Sequence, residues 1–415
     1  MNDARHDPLA ALRYPEFRNL SCATFLITAA ILIQEVAIGY ELYLLTRDPL
    51  TLGFIGLAEA VPFIALALYG GHLADRREKR TLMQLALATI VLASAALLWV
   101  LRPDARAHTS TLQLLLTVYG MLFVLGLARG IYSPSASSLK AFLVPRELYP
   151  NSSAWISSFW QAGAILGPVA AGFIYARWGI NGALTVVFVA FTLALGLIST
   201  IRRRAVPPQL EAEAGLWRSL REGFDYVWRT KIIFYAISLD MISVFFGGVV
   251  AILPIFAEDI LAVGPEGLGI LRAAPAAGAL LTMLACTYYP PLREAWRNLL
   301  WAVLGFGLAT LVFALSPWFW LSVAMLFLTG AFDSVSVVIR QTILQVLPPD
   351  HLRGRVVAIN SIFVSSSNEL GAFESGVAAR LMGVVPSVLF GGTVTLLTVG
   401  WIWRRSKELL GYRLR

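Results

Sequence analysis

Apolar runs of membrane-spanning length recur along almost the whole chain, each cut off by a short polar or charged turn. In order they cover about 17–41, 52–74, 82–101, 111–138, 155–177, 181–201, 231–257, 267–289, 298–315, 317–340, 355–379 and 384–403. A span needs roughly 20 mostly apolar residues. Several runs exceed that, which allows tilt or extension past the bilayer. No water reaches the backbone inside a bilayer, so each run has to satisfy its own hydrogen bonds as a helix. The pattern predicts an all-α membrane protein of twelve transmembrane helices. The first run is too long, and too poorly provided with a small-residue cleavage site, to be a signal peptide.

The longest polar gap, 202–230, opens with Arg202-Arg203-Arg204 and Pro207-Pro208. Leu216-Trp217-Arg218-Ser219-Leu220-Arg221-Glu222-Gly223-Phe224 then alternates apolar and charged residues at helical spacing. That spacing fits an amphipathic helix on the inner membrane surface, or a solvated linker helix. The gap is read as a cytoplasmic linker between an N-terminal bundle, 1–201, and a C-terminal bundle, 231–415. Six runs lie on each side, and traces of duplication survive. Leu52-Gly53-Phe54-Ile55 recurs as Leu268-Gly269-Ile270-Leu271, and Leu143-Val144-Pro145-Arg146 as Val346-Leu347-Pro348-Pro349. Two pseudo-symmetric six-helix bundles are expected.

Composition reaches the membrane independently. The chain is 58% hydrophobic and 14% charged, with mean hydropathy +0.71, where a soluble protein carries nearer a quarter charged residues. A net charge of +8 would suit a nucleic-acid partner, but its placement argues against one. With the N-terminus inside, only Arg47, Arg102, Arg106, Arg177 and Arg380 fall in outer loops, and Arg129 and Arg272 within spans. The remaining Lys and Arg lie on the inner side, as the positive-inside rule requires. Both termini are then cytoplasmic and no nucleic-acid partner is expected.

The two cysteines, Cys22 and Cys286, fall in spans without a CxxC or metal-ligand neighbour and read as small buried residues. There is no HExxH, GxSxG, P-loop or dinucleotide fingerprint. No cofactor, metal or enzymatic activity is expected, and any energy has to come from an ion gradient, a partner or the substrate's own gradient. Asn151-Ser152-Ser153 matches a glycosylation pattern but falls in an inner loop and is discounted.

Between the second and third runs stands Gly70-Gly71-His72-Leu73-Ala74-Asp75-Arg76-Arg77-Glu78-Lys79-Arg80. This G-x-L-a-D-R-x-x-K-R pattern resembles the loop between helices 2 and 3 of the major facilitator superfamily. The resemblance implies a secondary transporter with parallel halves, a substrate site between them near the midplane, and alternating access. It implies a gating role for Gly71, Asp75, Arg76, Lys79 and Arg80, with Asp75 helping to latch the cytoplasmic face. The alternative is topogenic charge on a tight turn. Where the family usually carries glycine, this chain has Glu78.

Asp350-x-x-Arg353-Gly354-Arg355, Tyr14-Pro15-Glu16-Phe17-Arg18-Asn19-Leu20 and Tyr43-x-x-Thr46-Arg47-Asp48-Pro49 are similar to the branch that includes enterobactin-type siderophore exporters. Asp350, Arg353 and Arg355 join the gating candidates. The fifth run holds Gly163-x-x-x-Gly167-Pro168-x-x-Ala171-Gly172. The spacing permits a close helix crossing and Pro168 bends the helix. It resembles the helix-5 signature of proton-coupled exporters, with Ala-Gly where Gly-Gly is usual; the plain alternative is a packing kink.

A charge at a span centre costs roughly 2.5–3.5 kcal/mol on insertion scales. Glu35, Glu59, Arg129, Asp240, Asp333, Glu369 and Glu374 all fall inside runs. Arg129 is placed like the family's helix-4 arginine, which the resemblance implicates in proton coupling; its alternative role is to partner a buried carboxylate. Glu35 and Glu369 lead as proton carriers, with Glu59 and Glu374 as competitors or partners in the same network. Asp240 is a further coupling candidate, and Asp240 and Asp333 also have gating pairs with Arg340 or Lys231 open to them. Glu41, Glu258 and Asp259 are expected near the outer surface and solvated. Gln34, Trp160, Gln161, Phe245, Ser366 and Asn368 supply a candidate cavity wall. The resulting expectation is a monomeric, proton-coupled exporter of a small amphipathic molecule, of drug or siderophore class, in the cell inner membrane. A lysophospholipid flippase, an importer, and a non-transporting receptor or scaffold are the alternatives.

Overall fold

The computed structural model describes residues 7–140, 142–203 and 216–411; the side chains of 67–72, 74–76, 107, 216–220, 350–351 and 365 lie outside the description. Every regular element among the described residues is helical. They are α1 (Pro15–Thr46), α2 (Pro49–Arg76), α3 (Lys79–Val100), the short α4 (Pro103–Ala107), α5 (Thr111–Lys140), α6 (Tyr149–Ser199), α7 (Leu216–Arg229) and α8 (Lys231–Gly247). There follow α9 (Leu253–Ile255), α10 (Gly264–Tyr288), α11 (Ala295–Leu315), α12 (Phe319–Val346), α13 (Asp350–Met382) and α14 (Val384–Arg405).

Ten helices among the described residues are long and apolar enough to cross a membrane. The 51-residue α6 counts once among them, although Gly179 leaves helical geometry within it (φ 61°, ψ −166°). The 33-residue α13 carries Arg353, Arg355, Glu369, Glu374 and Arg380. The run 231–257 is broken. Gly247-Gly248 is a poor helix interior, and Pro254 lacks the amide that would bond back one turn. Accordingly α8 ends at Gly247, a 3-10 turn spans Val250–Ile252, and a π-helical turn follows at Phe256–Ile260.

Glu78, the departure from the family's glycine, is the N-cap of α3. Its carboxylate accepts from the amides of Arg80 (3.1 Å) and Thr81 (2.8 Å), two of the donors a helix start leaves unbonded. Glu78→Ala is expected to destabilise the protein by about 1 kcal/mol, read as a lowered melting temperature in detergent; an unchanged melt would show that water caps α3 equally well.

The chain forms two compact units, one of Met1–Glu41 and Ala58–Gln209, the other of Leu42–Leu57 and Leu210–Arg415. In the first, α3 packs against α5 and α6, and α6 crosses α1 through the Gly163/Gly167 pair. A Cβ at 163 would stand 2.9 Å from Thr28 Cβ, and one at 167 would stand 3.0 Å from the Ala29 carbonyl. The GxxxG spacing is therefore a backbone-to-backbone crossing, with Pro168 and Gly172 also buried.

In the second unit α12 packs on α10 and α11, while α8 lies against α13 and α14. Its core gathers Trp296, Ile233, Leu300, Ile339 and Val356. Trp296 is fully buried, and its indole donates to Ser406 Oγ at 2.8 Å, which satisfies the one polar atom that burial would penalise. The amphipathic α7 docks on α13. Glu222 pairs with Arg355, the Tyr226 hydroxyl donates to the Leu347 carbonyl at 3.2 Å, and Val227 joins the core. Phe224 and Trp228 stack on each other on the exposed side.

Candidate functional site

Three helices of the first unit bring together three of the charges that the apolar runs make conspicuous. At Gly126 of α5 a Cβ would fall 2.3 Å from the Glu59 carbonyl and 2.7 Å from Pro62 Cγ. Glycine there lets the α5 backbone press against α2. One turn later on the same face, Arg129 reaches the Glu59 side chain: Nη1 donates to Oε2 at 2.6 Å. The same nitrogen lies 3.9 Å from Glu35 Oε1 on α1. Beside Glu35, Gln34 is buried and accepts from Ser94 Oγ at 3.4 Å, fixing this part of α1 against α3.

The burial of the two carboxylates differs. The Glu59 side chain is 10% exposed and that of Glu35 25%. Two carboxylates share one guanidinium, so the cluster carries one net negative charge when both are ionised. Glu59 bonds Arg129 directly, whereas Glu35 is less enclosed and lies at longer range.

The expectation that Glu41 is solvated is overturned. It is 7% exposed and accepts from Arg106 of α4 and from the Tyr175 hydroxyl of α6. Tyr175 packs edge-on against Tyr40. A carboxylate buried where α1 meets α6 requires such partners, and the sequence hints at them through an arginine between the third and fourth apolar runs. Glu258 and Asp259 are not simply solvated either. Within the second unit Arg47 donates to Asp259 at 2.8 Å and to Glu258 at 3.4 Å, Tyr43 bonds Asp259, and Arg380 pairs with Asp48 at 3.2 Å. Partial desolvation pulls the Arg47 guanidinium down, but the two carboxylates outweigh it and raise its pKa.

Other predicted residues are placed apart from the Glu35–Glu59–Arg129 cluster. Asp240 of α8 forms a buried ion pair with Arg340 of α12, while Lys231 takes Glu408 at 3.2 Å instead. Glu369 and Glu374 belong to the second unit; α13 crosses Gly53 and Gly56 around Phe373 and Ala372, and Glu374 borders a small cavity beside Gly248 and Ser387. Phe245 packs edge-on against Phe246 at 4.8 Å. Ser366 is partly buried, and Asn368 is exposed and donates to the Val364 carbonyl on its own helix. Trp160 is 52% exposed and Gln161 partly buried.

Of the gating candidates, Lys79 lies over the Phe142 ring at 5.3 Å, Arg80 donates to the Ser199 carbonyl at 2.6 Å, Arg353 is exposed, and Arg355 pairs with Glu222. Gly71 and the side chains of Asp75, Arg76 and Asp350 lie outside the description. Gly126 was missed by sequence reasoning; its signal, a glycine one turn before an intramembrane arginine, is legible only once α2 is known to lie against it.

The profile of the Major Facilitator Superfamily matches residues 20–372. Among curated proteins, the enterobactin exporter EntS of Shigella boydii serotype 18 is 25% identical over 393 residues, covering 93% of this chain and 90% of that protein. EntS of Escherichia coli O1:K1 / APEC matches to the same extent. Among solved structures, a bacterial homologue of the human lysosomal transporter Spinster superposes with a TM-score of 0.72 at 16% identity, covering 97% of this chain and 99% of that one. A POT family transporter in complex with 5-aminolevulinic acid gives 0.76 at 12% identity, covering 95% and 96%. At those identities the structural likeness speaks to fold.

Proposed function

Because this chain belongs to the major facilitator superfamily and is a multi-pass membrane transporter rather than an enzyme, we propose that it is a proton-coupled exporter of a small amphipathic molecule. The siderophore class comes first, on the likeness to EntS, and lipophilic drugs second. We read α6 as two spans joined at Gly179 and α13 as a further, polar span, which gives twelve. The termini are then cytoplasmic, the membrane is the cell inner membrane, and the working unit is a monomer.

The observation that carries the coupling is the shared guanidinium: Arg129 bonded to Glu59 at 2.6 Å, with Glu35 at 3.9 Å. In this reading Glu59 holds Arg129, Glu35 takes a proton from the outer side, and substrate arriving from the inner side displaces it. Alternating access carries the two in opposite directions. One charge moving down 100 mV yields roughly 2.3 kcal/mol, enough for about a fifty-fold substrate gradient. Proteoliposomes loaded with a pH-sensitive dye test the assignment. Ferric and iron-free catecholate siderophores and lipophilic cations are expected to move protons in wild-type vesicles, with at least a tenfold loss in Glu35→Gln. Substrate flux without proton movement would sink the coupling and leave a uniporter.

A further inference from the structure

The second unit holds a cluster of the same charge type that the coupling scheme does not use. Asp240 and Arg340 pair there with side chains only 4% and 2% exposed. Asp333, two turns before Arg340 on the same face of α12, interacts electrostatically with both. Asp240, Asp333, Ser243 and Ser336 line a cavity of about 10 Å³, room for roughly one water-sized occupant. Its remaining wall is apolar, including Val303 and Phe306 of α11. No other charged side chain lines it among the described residues.

Two further facts point to an occupant. Ser243, one turn after Asp240, is 95% buried and its hydroxyl has no hydrogen-bond partner; a buried hydroxyl left unbonded is costly. The two carboxylates also exceed the single guanidinium by one charge, as around Arg129. Moreover, Arg340 is where a duplicated chain would place the counterpart of Arg129. Their offset of 211 positions falls between the 216 that relates Leu52 to Leu268 and the 203 that relates Leu143 to Val346.

We propose that this cavity is a binding site for one small monovalent cation, held by Asp333, Asp240 and the Ser243 hydroxyl, with sodium displacing a proton. The ligands are hard oxygens, which suit sodium. The surplus of one negative charge matches a monovalent ion and leaves a divalent one uncompensated. Arg340 cancels the second carboxylate and keeps the site from becoming an acidic trap. The site is separate from Glu35 and does not depend on coupling there.

Purified protein in weakly buffered detergent solution, with a pH indicator, tests this. Sodium chloride, against choline chloride, is expected to release close to one proton per chain from wild type, saturably, and none from Asp333→Asn. Ser243→Ala is expected to raise the half-saturating sodium concentration several-fold. Absence of sodium-driven release from wild type overturns it. Identical sodium titrations in wild type and Asp333→Asn overturn it too. Should Asp333→Asn fail to purify, Ser243→Ala removes only an unbonded hydroxyl, and unchanged titrations there overturn it as well. Glu35→Gln is expected to keep sodium-driven release while losing substrate-driven release, so failure of one reading is distinguishable from failure of the other.

Discussion

Arg340→Met is expected to abolish the well-folded protein, with a loss of about 3–5 kcal/mol, while Asp240→Asn combined with Arg340→Met is expected to recover most of it. The asymmetry follows from burial. With both side chains under 5% exposed, the pair is stable because each charge compensates the other, not because ions prefer the interior. Removing one partner strands the other; removing both leaves neutral side chains of similar volume. The double variant removes one positive and one negative charge, so the net charge of the cluster is the same as in wild type. Melting in detergent, followed by the helical circular-dichroism signal, reads the effect. A single variant that melts at the wild-type temperature would mean that water reaches the pair, and would undo the picture of an enclosed charge cluster.

The helical framework was legible because membrane helices announce themselves by length and apolarity. What was lost was lost for specific reasons. The Gly247-Gly248 step and Pro254 are individually tolerable inside an apolar run, so hydropathy carries 231–257 through the break that the backbone makes there. The polar α13 is visible by pattern but weak by hydropathy, since it carries the serines and acids that make it interesting. Charges inside apolar runs stand out because few residues of that kind occur in such a composition, and the Asp240–Arg340 pair is one of those expected. The carboxylate that takes Arg129 was not legible, because Glu59 lies 70 residues away in sequence. Glu41 illustrates the failure: its position near a run's end reads as solvated, while its partners come from the short α4 and from α6, 65 and 134 residues away in sequence. Glu78 illustrates the opposite case. It breaks the family pattern, yet its role follows from ordinary helix capping.

Glu59→Gln is expected to reduce proton-coupled flux at least tenfold while leaving substrate binding within a few-fold of wild type. Glu59 is the more buried of the two carboxylates and holds Arg129 by a direct charge-assisted bond. With that bond weakened, the nearest remaining anion is Glu35, already 3.9 Å from the same nitrogen. Closing that gap requires only a small side-chain adjustment on α5. A carboxylate bonded to a guanidinium stays ionised and is no longer available to carry a proton, so the variant should bind substrate yet fail to drive it with a pH gradient. Glu35→Gln should also lose coupling, for a different reason, because the carrier itself is gone. The double variant Glu35→Gln/Glu59→Gln separates these accounts. If Glu59 acts only by positioning Arg129, the double loses no more coupling than Glu35→Gln alone, since the two changes interrupt one path. A double that loses as much as the product of the singles would mean that Glu59 carries protons itself, and the roles within the cluster would have to be reassigned.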